Sequence, residues 1–139
     1  MLVLGLLICI GFISGYGIKH GAIATSVAHD SHNLIVAGCS EEDIAAAAEA
    51  VRQMGGGLVV VENGKVTESL PLPIAGLMSP LPIEEVDEKL KKLKAAAKRL
   101  GASDDIDPFM TLSFMSLPVI PTLRLTTRGV VDVNTQQYI

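Results

Sequence analysis

The sequence predicts an α/β fold: a mixed β-sheet covered by two amphipathic helices, arranged as a layered sandwich. Three observations carry this expectation. Ile83, Val86, Leu90, Leu93, Ala97 and Leu100 recur at alternating spacings of 3 and 4, the period of one helix face. Asn63-Gly64 separates two apolar runs, and both residues tolerate the positive φ that a tight hairpin needs. Short runs of small and β-branched residues stand on either side of these elements, as strands require.

The first strand is expected within Gly21 to Ala28, where Gly-Ala-Ile-Ala-Thr-Ser-Val-Ala has the look of a strand packed on both faces. It runs directly into the polar cluster His29-Asp30-Ser31-His32-Asn33, and Leu34 to Gly38 reads as a second short strand. Ser40 is a helix N-cap with Asp43 as its capping-box partner, so a helix should run from Glu41 to about Met54 and turn Ile44, Ala47, Ala48 and Val51 toward the sheet. Gly55-Gly56-Gly57 supplies the left-handed residue that ends it. Because these glycines follow a helix instead of opening one, they read as a stop and not as a phosphate cradle.

Leu58 to Val61 and Lys65 to Leu70 form the hairpin, and Pro71, Pro73, Pro80 and Pro82 punctuate an extended connection after it. The second helix should span about Pro82 to Leu100, with Gly101 terminating it. Glu84, Glu85, Asp87 and Glu88 lie near its start and Lys91, Lys92, Lys94, Lys98 and Arg99 near its end, which complements the helix dipole and explains these charges without a basic binding face. Phe109 to Leu117 reads as a mixed strand or extended segment ending at Pro118. Leu123 to Leu125 and Val130 to Val133 are short strands about a turn at Gly129, and the tail after Asp132 carries no strong signal.

The chain of 139 residues is expected to form a single domain, 1–139, and is shorter than the roughly 200 residues or more of a large enzyme barrel. A net charge of −4 with both signs interspersed gives no footprint for nucleic acid. Cys9 and Cys39 have neither a disulfide framework nor a zinc-ribbon spacing, which fits a reducing, cytoplasmic setting. The apolar run from Leu2 to Ile13 is interrupted by glycine and falls short of the roughly 20 residues of a spanning helix, so a membrane role is not expected.

The residues with most chemical capacity are His29, Asp30, Ser31, His32 and Asn33. Two imidazoles and a carboxylate so close could bind a metal, relay a proton or hydrogen-bond a polar heterocycle. The plainer reading is a turn whose Asp, Ser and Asn satisfy backbone groups, with ordinary surface histidines. A self-contained hydrolytic metal site is not expected, since His20 is the only other histidine and both cysteines lie in apolar runs. The apolar segments Pro71 to Met78 and Phe109 to Leu117 are read first as core. The alternative is an exposed patch that docks on another domain.

Several stretches together resemble one family: Gly11-Phe12-Ile13-Ser14-Gly15-Tyr16-Gly17-Ile18-Lys19, Gly21-Ala22-Ile23-Ala24, Ser26-Val27-Ala28-His29-Asp30-Ser31-His32-Asn33, Gly55-Gly56-Gly57, Leu70-Pro71-Leu72-Pro73-Ile74-Ala75-Gly76-Leu77-Met78 and Pro108-Phe109-Met110-Thr111-Leu112-Ser113-Phe114. In order and spacing they are similar to the C-terminal part of the prokaryotic adenine deaminases of the amidohydrolase superfamily, over about residues 11 to 133. The resemblance implies hydrolysis of adenine to hypoxanthine and ammonia by water activated on manganese or iron. That metal is held in a β/α barrel N-terminal to the matched region, whose ligands have no counterpart here. It therefore implies a detached C-terminal domain with no catalytic residue or cofactor of its own, inactive in isolation and partnered by the barrel. The loop His29–Asn33 is then expected near the mouth of the barrel's active site. Residues 1 to 10 depart from the pattern, as expected of a fragment, a frameshifted reading frame or one half of a split enzyme. The rival expectation is a non-catalytic interaction module, a homo-oligomer assembling through its apolar N-terminus and Pro71 to Met78.

Overall fold

A computed structural model describes residues 8–139. In chain order the elements are β1 (Ala22–Thr25), β2 (Ile35–Gly38), α1 (Glu41–Gln53), β3 (Gly57–Glu62), β4 (Lys65–Pro71), α2 (Ile83–Arg99), α3 (Pro108–Ser113), β5 (Leu123–Thr126), β6 (Gly129–Asp132) and β7 (Gln137–Tyr138). Four strands form a sheet in the order β2-β1-β3-β4, and three form a second, smaller sheet in the order β5-β6-β7. The α/β layering is as the sequence predicts, but every pairing is antiparallel where a mixed sheet was expected. Because β1 sits between β2 and β3 and opposes both, those two strands run parallel to each other, and α1 makes the crossover between them.

Strands β1 and β3 alternate between two cores. Ala22, Ala24, Val59 and Val61 meet Ala47 and Val51 of α1 on one face. Ile23, Leu58 and Val60 meet Leu93, Ala96 and Ala97 of α2 together with Phe109 and Leu112 of α3 on the other. The period of 2 along each strand thus divides its side chains between two helical layers, which is why these strands read as nearly continuous apolar runs.

Local chemistry fixes the first helix. The Ser40 hydroxyl accepts from the Asp43 amide at 3.2 Å and donates to Asp43 Oδ2 at 2.8 Å. At the far end Gly56 N–H reaches Val51 O and Gly55 N–H reaches Arg52 O, the paired bonds of a Schellman stop with Gly55 at φ 72°. The buried face is Asp43, Ala47 and Val51. Ile44, expected to face the sheet, lies at the exposed margin, so the face is rotated by about one residue. The hairpin is as expected: Glu62 pairs with Lys65, and Asn63 and Gly64 adopt φ of 53° and 72°.

Asp43 does more than cap. Its Oδ1 accepts from the Gly64 amide at 2.7 Å, tying α1 to the hairpin turn, and this bond, followed by that from Ser40, holds its carboxyl below the usual carboxylate range. A depressed folded-state pKa contributes stability that is fully present above the unfolded value of about 4 and is lost as pH falls through the folded value. Asp43→Asn is therefore expected to lower the melting temperature at neutral pH and to shrink the loss of stability on acidification. Thermal melts of both proteins at about pH 7 and about pH 3 check this.

Along α2 the expected stripe is buried from its middle onward. Leu93 and Ala97 are inside and Val86 and Leu90 pack against the core, but Ile83, in the first turn, is 73% exposed. Ala102 N–H reaches Ala97 O and Gly101 N–H reaches Lys98 O, so Gly101, at φ 105°, ends this helix as predicted. The charges pair along the surface, Lys91 with Asp87 and Lys92 with Glu88. Lys94 bridges to Asp107 at 2.6 Å and Lys98 to Asp104 at 2.8 Å.

The main correction concerns Pro108–Ser113, which is helical and not extended. Asp107 Oδ1 accepts from the amides of Phe109 and Met110 at 3.1 and 3.0 Å, Pro108 occupies the first turn, and Phe109 and Leu112 go down into the core three residues apart. The aromatic and Thr content favoured a strand, and the cap at Asp107 outweighs it. Strand β7 is likewise present where the tail gave no signal. Residues 8–20 precede the first strand without regular structure. They are held at Tyr16, which is buried and donates its hydroxyl to Pro108 O, and at Lys19, whose amide donates to Leu100 O. Burial pushes the Tyr16 phenol far above its usual range. The first half of the apolar run Leu2 to Ile13 lies outside the described residues. Among the described residues no helix is long and apolar enough to cross a membrane.

Candidate functional site

Ser26, where β1 ends, starts the polar loop and anchors it. Its hydroxyl accepts from the Gly57 amide at 2.8 Å and donates to Gly76 O at 2.5 Å, joining three segments in a buried node. Thr25 Oγ1 accepts from the Val27 amide at 3.0 Å and bends the chain out of the sheet. Ala28 is fully buried. His29 N–H then donates to Ser113 O at 3.0 Å, and the Ser116 hydroxyl donates to His29 O at 3.4 Å, so the end of α3 grips the loop from below. His32 N–H closes a turn onto Ala28 O at 2.5 Å, with His32 itself at φ 47°. Asn33 Nδ2 donates to Ser31 Oγ at 2.9 Å.

This scaffold brings the two imidazoles together. The His29 ring stacks on Phe114 with centroids 5.2 Å apart and planes 22° apart, and the His32 ring meets His29 edge-on at 5.5 Å. His32 Nδ1 is buried and has no hydrogen-bond partner. A buried polar nitrogen without a partner costs about 1–3 kcal/mol, which singles this ring out. Asp30 and Ser31 are exposed, and no hydrogen bond or ion pair restrains the Asp30 carboxylate among the described residues.

Asp30, Ser31 and Asn33 line a recess of about 260 Å³, closed on its other sides by Ser116 and by Thr126 and Thr127 at the end of β5. Neither histidine ring lines it. The recess therefore joins three of the five residues singled out in the sequence with hydroxyls that the sequence reading did not assign to a site. Phe114 and Ser116 were read as part of an apolar segment and Thr126 and Thr127 as part of a turn, because nothing local links them to a loop some 85 to 100 residues earlier. At this size the recess is smaller than the roughly 300–1,000 Å³ of a self-sufficient small-molecule pocket.

The residues present do not fit a catalytic metal. Among the described residues no three His, Cys, Asp or Glu side chains come together in a group that could hold one. His20, the third histidine, precedes β1, at the other end of the strand from the loop, and pairs with Glu62 at 3.1 Å. The two cysteines are free.

Fold and site define an antiparallel α/β/α module that presents a histidine-containing polar loop at one end of its central strand. The chain belongs to the family described as the adenine deaminase C-terminal domain, whose model matches residues 6–137. It is 60% identical over 126 residues, 91% of its length, to adenine deaminase 2 of Carboxydothermus hydrogenoformans. It is 52% identical over 130 residues, 94% of its length, to the adenine deaminases of Bacillus pumilus and of Desulfatibacillum aliphaticivorans. The chain spans only 22–23% of the length of these relatives.

Proposed function

We propose that the chain acts as the single-domain C-terminal portion of an adenine deaminase, which hydrolyses adenine to hypoxanthine and ammonia, and that it supports a separate catalytic part. The relatives that bear the name of this activity are about four times its length, which supports placing the catalytic part outside the matched region; on this reading it is a metal-dependent barrel of the amidohydrolase type, using manganese or iron in a cytoplasmic setting. The chain contributes no metal ligand to it. His29, Asp30, Ser31, His32 and Asn33 stand at the mouth of that active site, where imidazoles, a carboxylate and an amide match the ring nitrogens and exocyclic amine of a purine.

The observation that carries this is the loop itself: His32 Nδ1 buried without a partner and an unrestrained Asp30 carboxylate, both on a rim clamped by Ser26 and α3. Such groups hold hydrogen-bonding capacity that the chain alone leaves unused and a ligand would take up. The test uses full-length C. hydrogenoformans adenine deaminase 2 in which this chain replaces the matching segment. Alanine at His29, Asp30 or His32 is expected to lower kcat/KM for adenine about 10-fold, the effect of roughly 1.4 kcal/mol of lost interaction. Unchanged turnover in all three variants would reduce the loop to a structural turn.

A further inference from the structure

The exposed apolar side chains are not spread evenly. Of the fourteen large hydrophobic residues exposed among the described residues, nine belong to residues 8–13, α3, the 119–123 segment and the β5–β7 end of the chain. Phe12 is 104% exposed, Val119 69% and Met110 53%. These segments are neighbours. A Cβ on Gly11 would lie 3.2 Å from Leu125 Cδ1, and the Leu125 amide donates to Met115 O at 3.1 Å, joining the N-terminal segment, β5 and the end of α3. Among the described residues no backbone hydrogen bond holds residues 8–15 to the rest of the chain.

A second recess, of about 330 Å³, opens in this face between Phe114, Met115, Ile120 and Arg124. The Arg124 guanidinium donates to Leu123 O at 2.6 Å and to Pro121 O at 2.9 Å, while its Nε is buried without an acceptor and no carboxylate pairs with it among the described residues. A half-buried cation that has one nitrogen cut off from solvent and no counter-charge gains from a carboxylate that reaches it. Arginine ringed by apolar and aromatic groups is also what the centre of a protein interface contains.

We propose that this face docks the N-terminal catalytic part of an adenine deaminase chain, which covers Phe12, Met110, Val119 and Leu123 and brings a carboxylate to Arg124. This rests on the reading above that the chain supports such a part. Two facts select the occupant. The greater part of each relative's length lies outside the matched region, and the apolar face is continuous through α3 with the loop assigned to the active-site mouth, since Phe114 lines the recess and stacks on His29. Exposed apolar side chains gathered in this way, rather than scattered singly, mark an interaction surface.

The experiment compares hydrogen exchange of the 139-residue chain alone with its exchange in the full-length chimaera described above, and measures adenine turnover of the latter. Amides of residues 8–13 and 119–124 are expected to exchange about 10-fold or more slowly in the chimaera, while those around Val66 on β4 and Ile83 at the start of α2 are unchanged. Leu123→Glu should abolish that protection in the chimaera and leave the melting temperature of the isolated chain near wild type, because Leu123 is half-exposed there. Equal exchange in both contexts in an active chimaera would overturn the docking face and leave the proposed function standing. An inactive wild-type chimaera would overturn both. Protection already present in the isolated chain, with a concentration-dependent dimer by sedimentation, would assign the face to a second copy and overturn the proposal.

Discussion

Gly56→Ala is expected to lower the melting temperature by roughly 10–20 °C, a large effect for a one-carbon change. Gly56 has φ 120°, a conformation that side chains rarely adopt, and a Cβ there would lie 2.4 Å from Gly76 Cα and 3.0 Å from Leu72 O. Both obstacles are backbone, so neither can swing away. Forced backbone conformation and overpacking each cost about 1–3 kcal/mol, so a loss on the order of 4 kcal/mol is expected. Gly55 supplies the internal control. It has φ 72° but nothing closer than Pro73 Cα at 3.9 Å, so Gly55→Ala should cost only the left-handed penalty of about 1–2 kcal/mol. Differential scanning calorimetry of the two variants decides the point, and equal losses would mean that the approach of Gly56 to Gly76 is not tight in solution. Because Ser26 Oγ lies 3.2 Å from the same place, Gly56→Ala should also disturb the node that anchors the polar loop.

The second large effect belongs to Leu93. Its side chain is fully buried among Val60, Leu70, Phe109 and Leu112, at the junction of the sheet, α2 and α3. Leu93→Ala should destabilise by about 2–5 kcal/mol, the transfer of the lost atoms plus the cavity left behind. Urea denaturation should show a lower midpoint with an unchanged slope. Ile83, in the same predicted stripe but 73% exposed, should tolerate alanine within about 0.5 kcal/mol. A stripe read from spacing alone treats these two residues alike.

That contrast shows how much was legible. Both long helices could be placed because their signals are local: Ser40 with Asp43, the 3-4 spacing of α2, and glycine stops at Gly55 and Gly101. The Asn63-Gly64 hairpin followed from two residues and their tolerance of positive φ. At the candidate site the five residues His29 to Asn33 stood out as the most polar cluster between two strands. Their burial and partners did not, because His29 is fixed by Ser113, Ser116 and Phe114, and the Ser116 bond closes over 87 residues of chain. The helix at Pro108–Ser113 was misread although its cap was present, since six residues are too few for a periodic pattern to overrule composition.

By itself the sequence determined the α/β class, the two amphipathic helices, the hairpin and the family resemblance, all of which rest on residues within about one helical turn of each other or on motifs of contiguous residues. Only the tertiary structure decided the strand order β2-β1-β3-β4, the antiparallel pairing, the approach of α3 to the histidine loop and the gathering of exposed apolar residues around Arg124. These arise from contacts between segments tens of residues apart, and such contacts follow from which faces can be buried together, a property of the packed chain that no local spacing encodes.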